Sequence, residues 1–87
     1  MSEPRATRLK RLHMRSMRRG IKEMDIILSR FAEARLEALN EDDLDLYDAL
    51  LEENDQDLYQ WATGQEPAPE RFQPLIDQIA ASAAQRR

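Results

Sequence analysis

Apolar residues recur at helical spacing along almost the whole chain, and that period decides the class of fold before anything else does. Leu9, Leu12, His13 and Met17 fall on one stripe, and Met24, Ile27, Leu28, Phe31 and Leu39 on another. No segment keeps the two-residue alternation of a half-buried strand, so the expectation is an all-α protein, a small bundle of about five short helices. The 87 residues make one domain, 1–87, whose ends at 1–7 and 81–87 are expected to fray. A chain of this size buries only about 60 to 65% of the surface its unfolded form exposes. With no cysteine, neither a disulfide nor a thiolate metal site can staple it, which suits a reducing interior and leaves helix packing to supply the core.

Turn and cap chemistry divides the pattern. Gly20 is expected to end the first helix by taking a positive φ. A third helix starts at Asn40, whose side chain can cap free amides, with Glu41, Asp42 and Asp43 in its positive first turn and Leu44, Tyr47, Leu50 and Leu51 facing inward. Asn54 or Asp55 caps a short fourth helix holding Leu58, Tyr59, Trp61 and Ala62, with Trp61 expected to anchor the packing. Gly64 ends that helix before a Pro67-Ala68-Pro69 linker. The last helix carries Phe72, Leu75, Ile76, Ile79 and Ala83, and its regular part is predicted to begin at Pro74 with Phe72 in a preceding turn.

Charge is as unevenly distributed as the apolar pattern is regular. Residues 1–22 hold eight of the 13 Lys and Arg and a single acid, Glu3, giving +7, whereas residues 23–87 set five basic against 16 acidic side chains, giving −11. Arg5, Arg8, Lys10, Arg11, Arg15, Arg18, Arg19 and Lys22 could grip nucleic-acid phosphates. A pI near 5.0 is the reverse of the usual nucleic-acid footprint, and an acidic protein surface or an anionic cofactor suits the same arginines. An Arg-rich, acid-poor start also resembles a mitochondrial presequence, but the basic stretch runs straight into Gly20 and Glu23, so cleavage would remove half of the most informative segment. No apolar run approaches the roughly 18 residues that cross a bilayer. A cytoplasmic protein with no membrane insertion is expected.

The catalytic inventory is thin. His13 has no cysteine partner and sits at a core-compatible spacing, and no nucleophile, base and orienter can be assembled around it. Met14 and Met17 lie too close to His13 to bind the opposite face of one haem iron. Across the acidic stretch an EF-hand alignment puts Asp48 where glycine is needed and Asn54 where a bidentate glutamate is needed, so these acids read as a solvated face. The expectation is a protein that is not an enzyme and holds no metal.

Arg15-Ser16-Met17-Arg18-Arg19-Gly20 leads into Glu23-Met24-Asp25, with Ile27, Leu28 and Phe31 behind it, and a second block runs from Leu50-Leu51-Glu52 through Asp55, Asp57-Leu58 and Trp61. At Arg19-Gly20-x-x-Glu23 and across these blocks, over about residues 8–80, the chain resembles the succinate dehydrogenase assembly factors of the SdhE family. Ile21 departs from many members, which often have methionine there. The resemblance implies a monomeric, chaperone-like helper that binds the flavoprotein subunit of succinate dehydrogenase, and also fumarate reductase, and promotes covalent attachment of FAD. In the client a histidine attacks the activated methyl group of the flavin, and the helper favours the conformation in which that happens. It implies partner contacts at Gly20, for close backbone approach, at Arg19, as a planar donor fork, and at Glu23, as an acceptor. Arg15, Arg18 and Asp25 follow as second-rank contacts or internal salt bridges. No glycine-rich strand-to-helix turn is present to cradle a dinucleotide, so FAD is expected to be handled in the partner and not bound stably here.

Overall fold

The computed structural model describes residues 3–84 and contains five α-helices and one 3-10 turn in that span. They are α1 Arg5–Arg15, α2 Lys22–Arg35, the 3-10 turn Leu36–Ala38, α3 Glu41–Leu50, α4 Asp55–Ala62 and α5 Gln73–Ala84. Helix starts follow the expected caps: the Asn40 side chain accepts from the Asp43 amide at 2.8 Å, and that of Asn54 accepts from the Gln56 amide at 2.7 Å. Phe72 occupies the turn before α5, and Gly64, at φ +81, closes the turn after α4.

Helix α2 is the central element, packing most extensively on α5 and also against α1 and α4. Its Met24, Leu28, Phe31 and Ala32 are buried with Leu12 of α1, Leu36, Leu44, Tyr47 and Leu50 of the middle segment, Leu58 of α4, and Phe72, Leu75, Ile76 and Ile79 of the last. Each such Leu or Phe contributes about 1.5 to 3 kcal/mol when wholly withdrawn from water. Phe31 and Tyr47 stack with centroids 5.4 Å apart at 42°, joining α2 to α3.

Two expectations, for Trp61 and Met17, need correction. Residues 5–7 and 81–84 are helical, with Arg5 tying the first turn to Glu41 and α5 running on to Ala84; residues 1–2 and 85–87 lie outside the described residues. Trp61 is only half-buried, lying tilted against Phe72 at 6.2 Å, and the anchoring aromatics are Tyr47 and Phe31 instead. Met17 is 47% exposed, because α1 stops at Arg15 and its stripe ends there. Helix α1 itself is part of the fold: removing the basic segment as a leader would take Leu12 out of the core and every arginine of α1 out of its ion pairs.

Candidate functional site

The chain turns between α1 and α2 over residues 16–21, and this elbow is built from polar bonds that reach far along the sequence. Ser16 is fully buried; its Oγ donates to the Leu12 carbonyl at 2.8 Å and shares a 2.5 Å hydrogen bond with the Tyr47 hydroxyl. Burial pushes the Tyr47 phenol up to about 12, against the opposing pull of that hydrogen bond and the Arg19 charge. The reversal falls on Arg18, at φ 55, not on Gly20 as expected. A non-glycine residue there costs about 1 to 2 kcal/mol. It is offset by the Arg18 amide, which donates to Asp25 Oδ2 at 2.9 Å, while the other Asp25 oxygen accepts from Ser29 Oγ at 3.3 Å.

At Gly20 the constraint is space. Its amide donates to Asp55 Oδ2 at 2.6 Å, and a Cβ built on it would stand 3.1 Å from that same oxygen. Asp55 reaches the elbow because it sits in the first turn of α4, one residue past the Asn54 cap. Its other oxygen takes Arg19 Nε at 2.9 Å and Arg19 Nη2 at 2.7 Å. One carboxylate thus clamps two consecutive residues from 36 and 35 positions away.

The expected partner residues therefore separate. The Arg19 side chain is 11% exposed, and its fork is filled by Asp55, the Arg15 carbonyl at 2.8 Å and the Leu51 carbonyl at 3.2 Å. Arg15 is likewise engaged, by Asp48 at 3.2 Å, Glu52 at 3.0 Å and the Leu51 carbonyl. Asp25 braces the turn. Glu23, in the first turn of α2, and the Arg18 side chain are exposed, and neither makes a side-chain hydrogen bond or salt bridge among the described residues. Gly20 is exposed between them. Met14, Met17 and Ile26 are 67%, 47% and 45% exposed, the only large apolar side chains so exposed among the described residues.

The arginines offered to an outside polyanion are largely spent inside the molecule. Arg5 pairs with Glu41, Arg8 with Asp45, Arg11 with Asp48, Arg15 with Glu52 and Arg19 with Asp55, each pair 36 or 37 residues apart in the chain. The constant offset means that α1 and the segment from α3 into α4 run in the same direction, bridged by long side chains more than by close backbone approach. A hydrogen bond from Arg11 holds the Asp48 carboxyl below the usual carboxylate range against the cost of its partial burial, with the charges of Arg11, Arg15 and Arg8 adding to the effect. The acids expected to be a solvated face are one side of a ladder. Spacing carried the signal, since residues 41, 45, 48, 52 and 55 and residues 5, 8, 11, 15 and 19 each step by three or four. Asp55, expected as an alternative cap of α4, is the last rung of that ladder.

A family model described as flavinator of succinate dehydrogenase matches residues 10–83. A protein of Meyerozyma guilliermondii named succinate dehydrogenase assembly factor 2, mitochondrial, is 47% identical over 73 residues, covering 80% of this chain and 54% of that protein. The proteins of the same name from Drosophila grimshawi and Penicillium rubens are 40% and 45% identical, covering 90% and 85% of this chain but 54% and 23% of their own lengths. The chain thus spans about half the length, or less, of these curated relatives.

Proposed function

Because the chain belongs to the family of succinate dehydrogenase flavinators, we propose that it is an assembly factor that binds the flavoprotein subunit of that enzyme and promotes covalent attachment of FAD to it. The observation that carries this reading is local: Met14, Met17 and Ile26, all exposed, lie within 13 residues that also hold exposed Arg18, Gly20 and Glu23. Exposed methionines adapt to the surface they meet, and a rim of unpaired charges gives that contact direction. Glu23 accepts from the client, Gly20 lets its backbone come close, and Arg19 holds the elbow in shape from within.

The chain performs no bond-making. The client histidine attacks the flavin, and the helper binds the client conformation in which the two are in register more tightly than the alternatives. A tenfold gain in the competent population takes about 1.4 kcal/mol of differential binding, within reach of a few charged and apolar contacts. FAD is met only in the complex, the helper works as a monomer, and fumarate reductase is a second client. The relatives carry "mitochondrial" in their names, while for this chain the proposal is action in the cytoplasm on the subunit before its assembly at the membrane. No helix among the described residues is long and apolar enough to cross a bilayer.

Deleting this protein and measuring covalent flavin on the succinate dehydrogenase subunit tests the reading. Most of the covalent flavin should disappear and return with the wild-type chain, and unchanged flavinylation in the deletion would overturn it. Glu23→Ala should weaken capture of the purified subunit without lowering the Tm of the helper.

A further inference from the structure

Asp55 lies outside the elbow in sequence, yet it is the residue on which the elbow's conformation converges. Its two oxygens divide the work: Oδ2 accepts the Gly20 amide at 2.6 Å and Oδ1 accepts Arg19 Nε at 2.9 Å. Arg19 in turn ties the end of α1 to the end of α3 through the carbonyls of Arg15 and Leu51. With the Arg18 amide held by Asp25 of α2 and the Gly20 amide by Asp55 of α4, the backbone leading into and at Gly20 is fixed by side chains of two helices. On the proposed reading of the elbow as the client-binding face, we propose that Asp55 is a positioning residue for client recognition: it makes no client contact and acts by holding Gly20 and Glu23 in the binding geometry.

The chemistry makes this separable from an ordinary helix-start charge. Asp57 sits in the same first turn of α4 and offers the same favourable charge to the helix, but it is exposed and makes no side-chain bond to the elbow. Asp55→Asn keeps the shape but supplies one acceptor and one NH2 where two acceptors are needed. Either way the amide turns, it aims a donor at the Gly20 N–H or at the Arg19 guanidinium. An elbow released in this way samples several conformations, and the affinity falls by the fraction that remains competent.

The test uses the full chain, the purified flavoprotein subunit, and hydrogen exchange at the Gly20 amide of the free helper. Asp55→Asn should weaken binding of the subunit about tenfold and speed exchange at Gly20 by a similar factor, measured well below the Tm of the variant, while Asp57→Asn changes neither. In a double-mutant cycle, Asp55→Asn and Glu23→Ala should be less than additive, because a misplaced Glu23 has little left to lose. Asp55→Glu, which restores two acceptors on a longer stem, should recover part of the binding, and no recovery would count against the acceptor geometry. Wild-type binding by Asp55→Asn would overturn the inference, as would equal weakening by Asp57→Asn or strict additivity with Glu23→Ala. If the wild-type helper fails to bind the subunit, the functional reading falls and takes this inference with it; if wild type binds and Asp55→Asn matches it, only the inference falls.

Discussion

The turns at Gly20 and Gly64 look interchangeable in the sequence, each a lone glycine placed where a helix must stop, but the structure uses them for opposite reasons. Gly64 adopts φ +81 with nothing within 4 Å of where a Cβ would stand, so it is needed for its backbone freedom alone. Gly20 has no positive φ, and the missing side chain is what matters, since the Asp55 carboxylate occupies the place where one would crowd it. The Gly64 turn is closed by short-range bonds, such as the Gly64 amide to the Trp61 carbonyl at 3.2 Å. The Gly20 turn is closed by Asp55, 35 positions from Gly20 and 36 from Arg19. A glycine serving φ marks a local turn, and a glycine serving space marks a point where distant parts of the chain meet.

The largest expected effect separates the two by function. Gly20→Arg forces a long cation into the Asp55 contact and onto the proposed client face, and should lower affinity for the flavoprotein subunit by about a hundredfold, roughly 2.7 kcal/mol. Gly64→Arg should leave that affinity unchanged. Equal losses in a binding titration would erase the distinction. Next comes Arg19→Ala, which strips the charged donor from Asp55 and leaves the Arg15 and Leu51 carbonyls without it; urea unfolding should report a loss of about 2 kcal/mol. Gly64→Ala follows at about 1 to 2 kcal/mol, the cost of a Cβ in the left-handed region, with binding again unaffected.

The sequence revealed what neighbours in the chain decide and missed what distant residues decide. Helical period, the Asn40 and Asn54 caps, the Phe72 turn before α5 and the role of Gly64 are all set within a few residues, and all were readable. The Gly20–Asp55 clamp spans 35 positions, so proximity in the chain carried no hint of it. The positive φ at Arg18 was unreadable for a different reason: Asp25, which stabilises it, is only seven residues away, but arginine has no preference of its own for that conformation. Ser16 and Leu36 carry no core signal in the helical stripes, although both are fully buried. Of the expected partner residues, Glu23, Gly20 and Arg18 stand exposed, whereas Arg19, Arg15 and Asp25 turned out to hold the elbow together.

Acid should sharpen the contrast more gently. Asp48 is an ordinary carboxylate when unfolded and is held lower in the folded chain, chiefly by Arg11. Its contribution is therefore present above about pH 4 and is lost as the pH falls through the depressed folded value. Asp48 also receives Arg15, whose carbonyl seats Arg19, so the loss falls on the Gly20 side of the molecule. The urea midpoint of the wild type should drop between pH 5 and pH 3, and that of Asp48→Asn should drop less. Parallel curves would show that the ladder does not couple to this carboxylate.

The smallest expected effect is also the most discriminating. Gly20→Ala meets an ordinary backbone conformation, so restricting the unfolded chain favours the folded state by about 0.4 to 1 kcal/mol. Against it stands the 3.1 Å approach of the new Cβ to Asp55 Oδ2, which the carboxylate must relieve by a shift of a few tenths of an ångström. The two Arg19 bonds on the other oxygen resist that shift. The stability change should therefore be near zero, while binding of the flavoprotein subunit falls a few fold because the displaced clamp moves the elbow. Combining Gly20→Ala with Asp55→Asn, in which the clamp is already released, should remove most of the further loss in binding. If Gly20→Ala instead costs as much stability as Gly64→Ala, then Gly20 serves backbone freedom after all, and the two turns are the same device used twice.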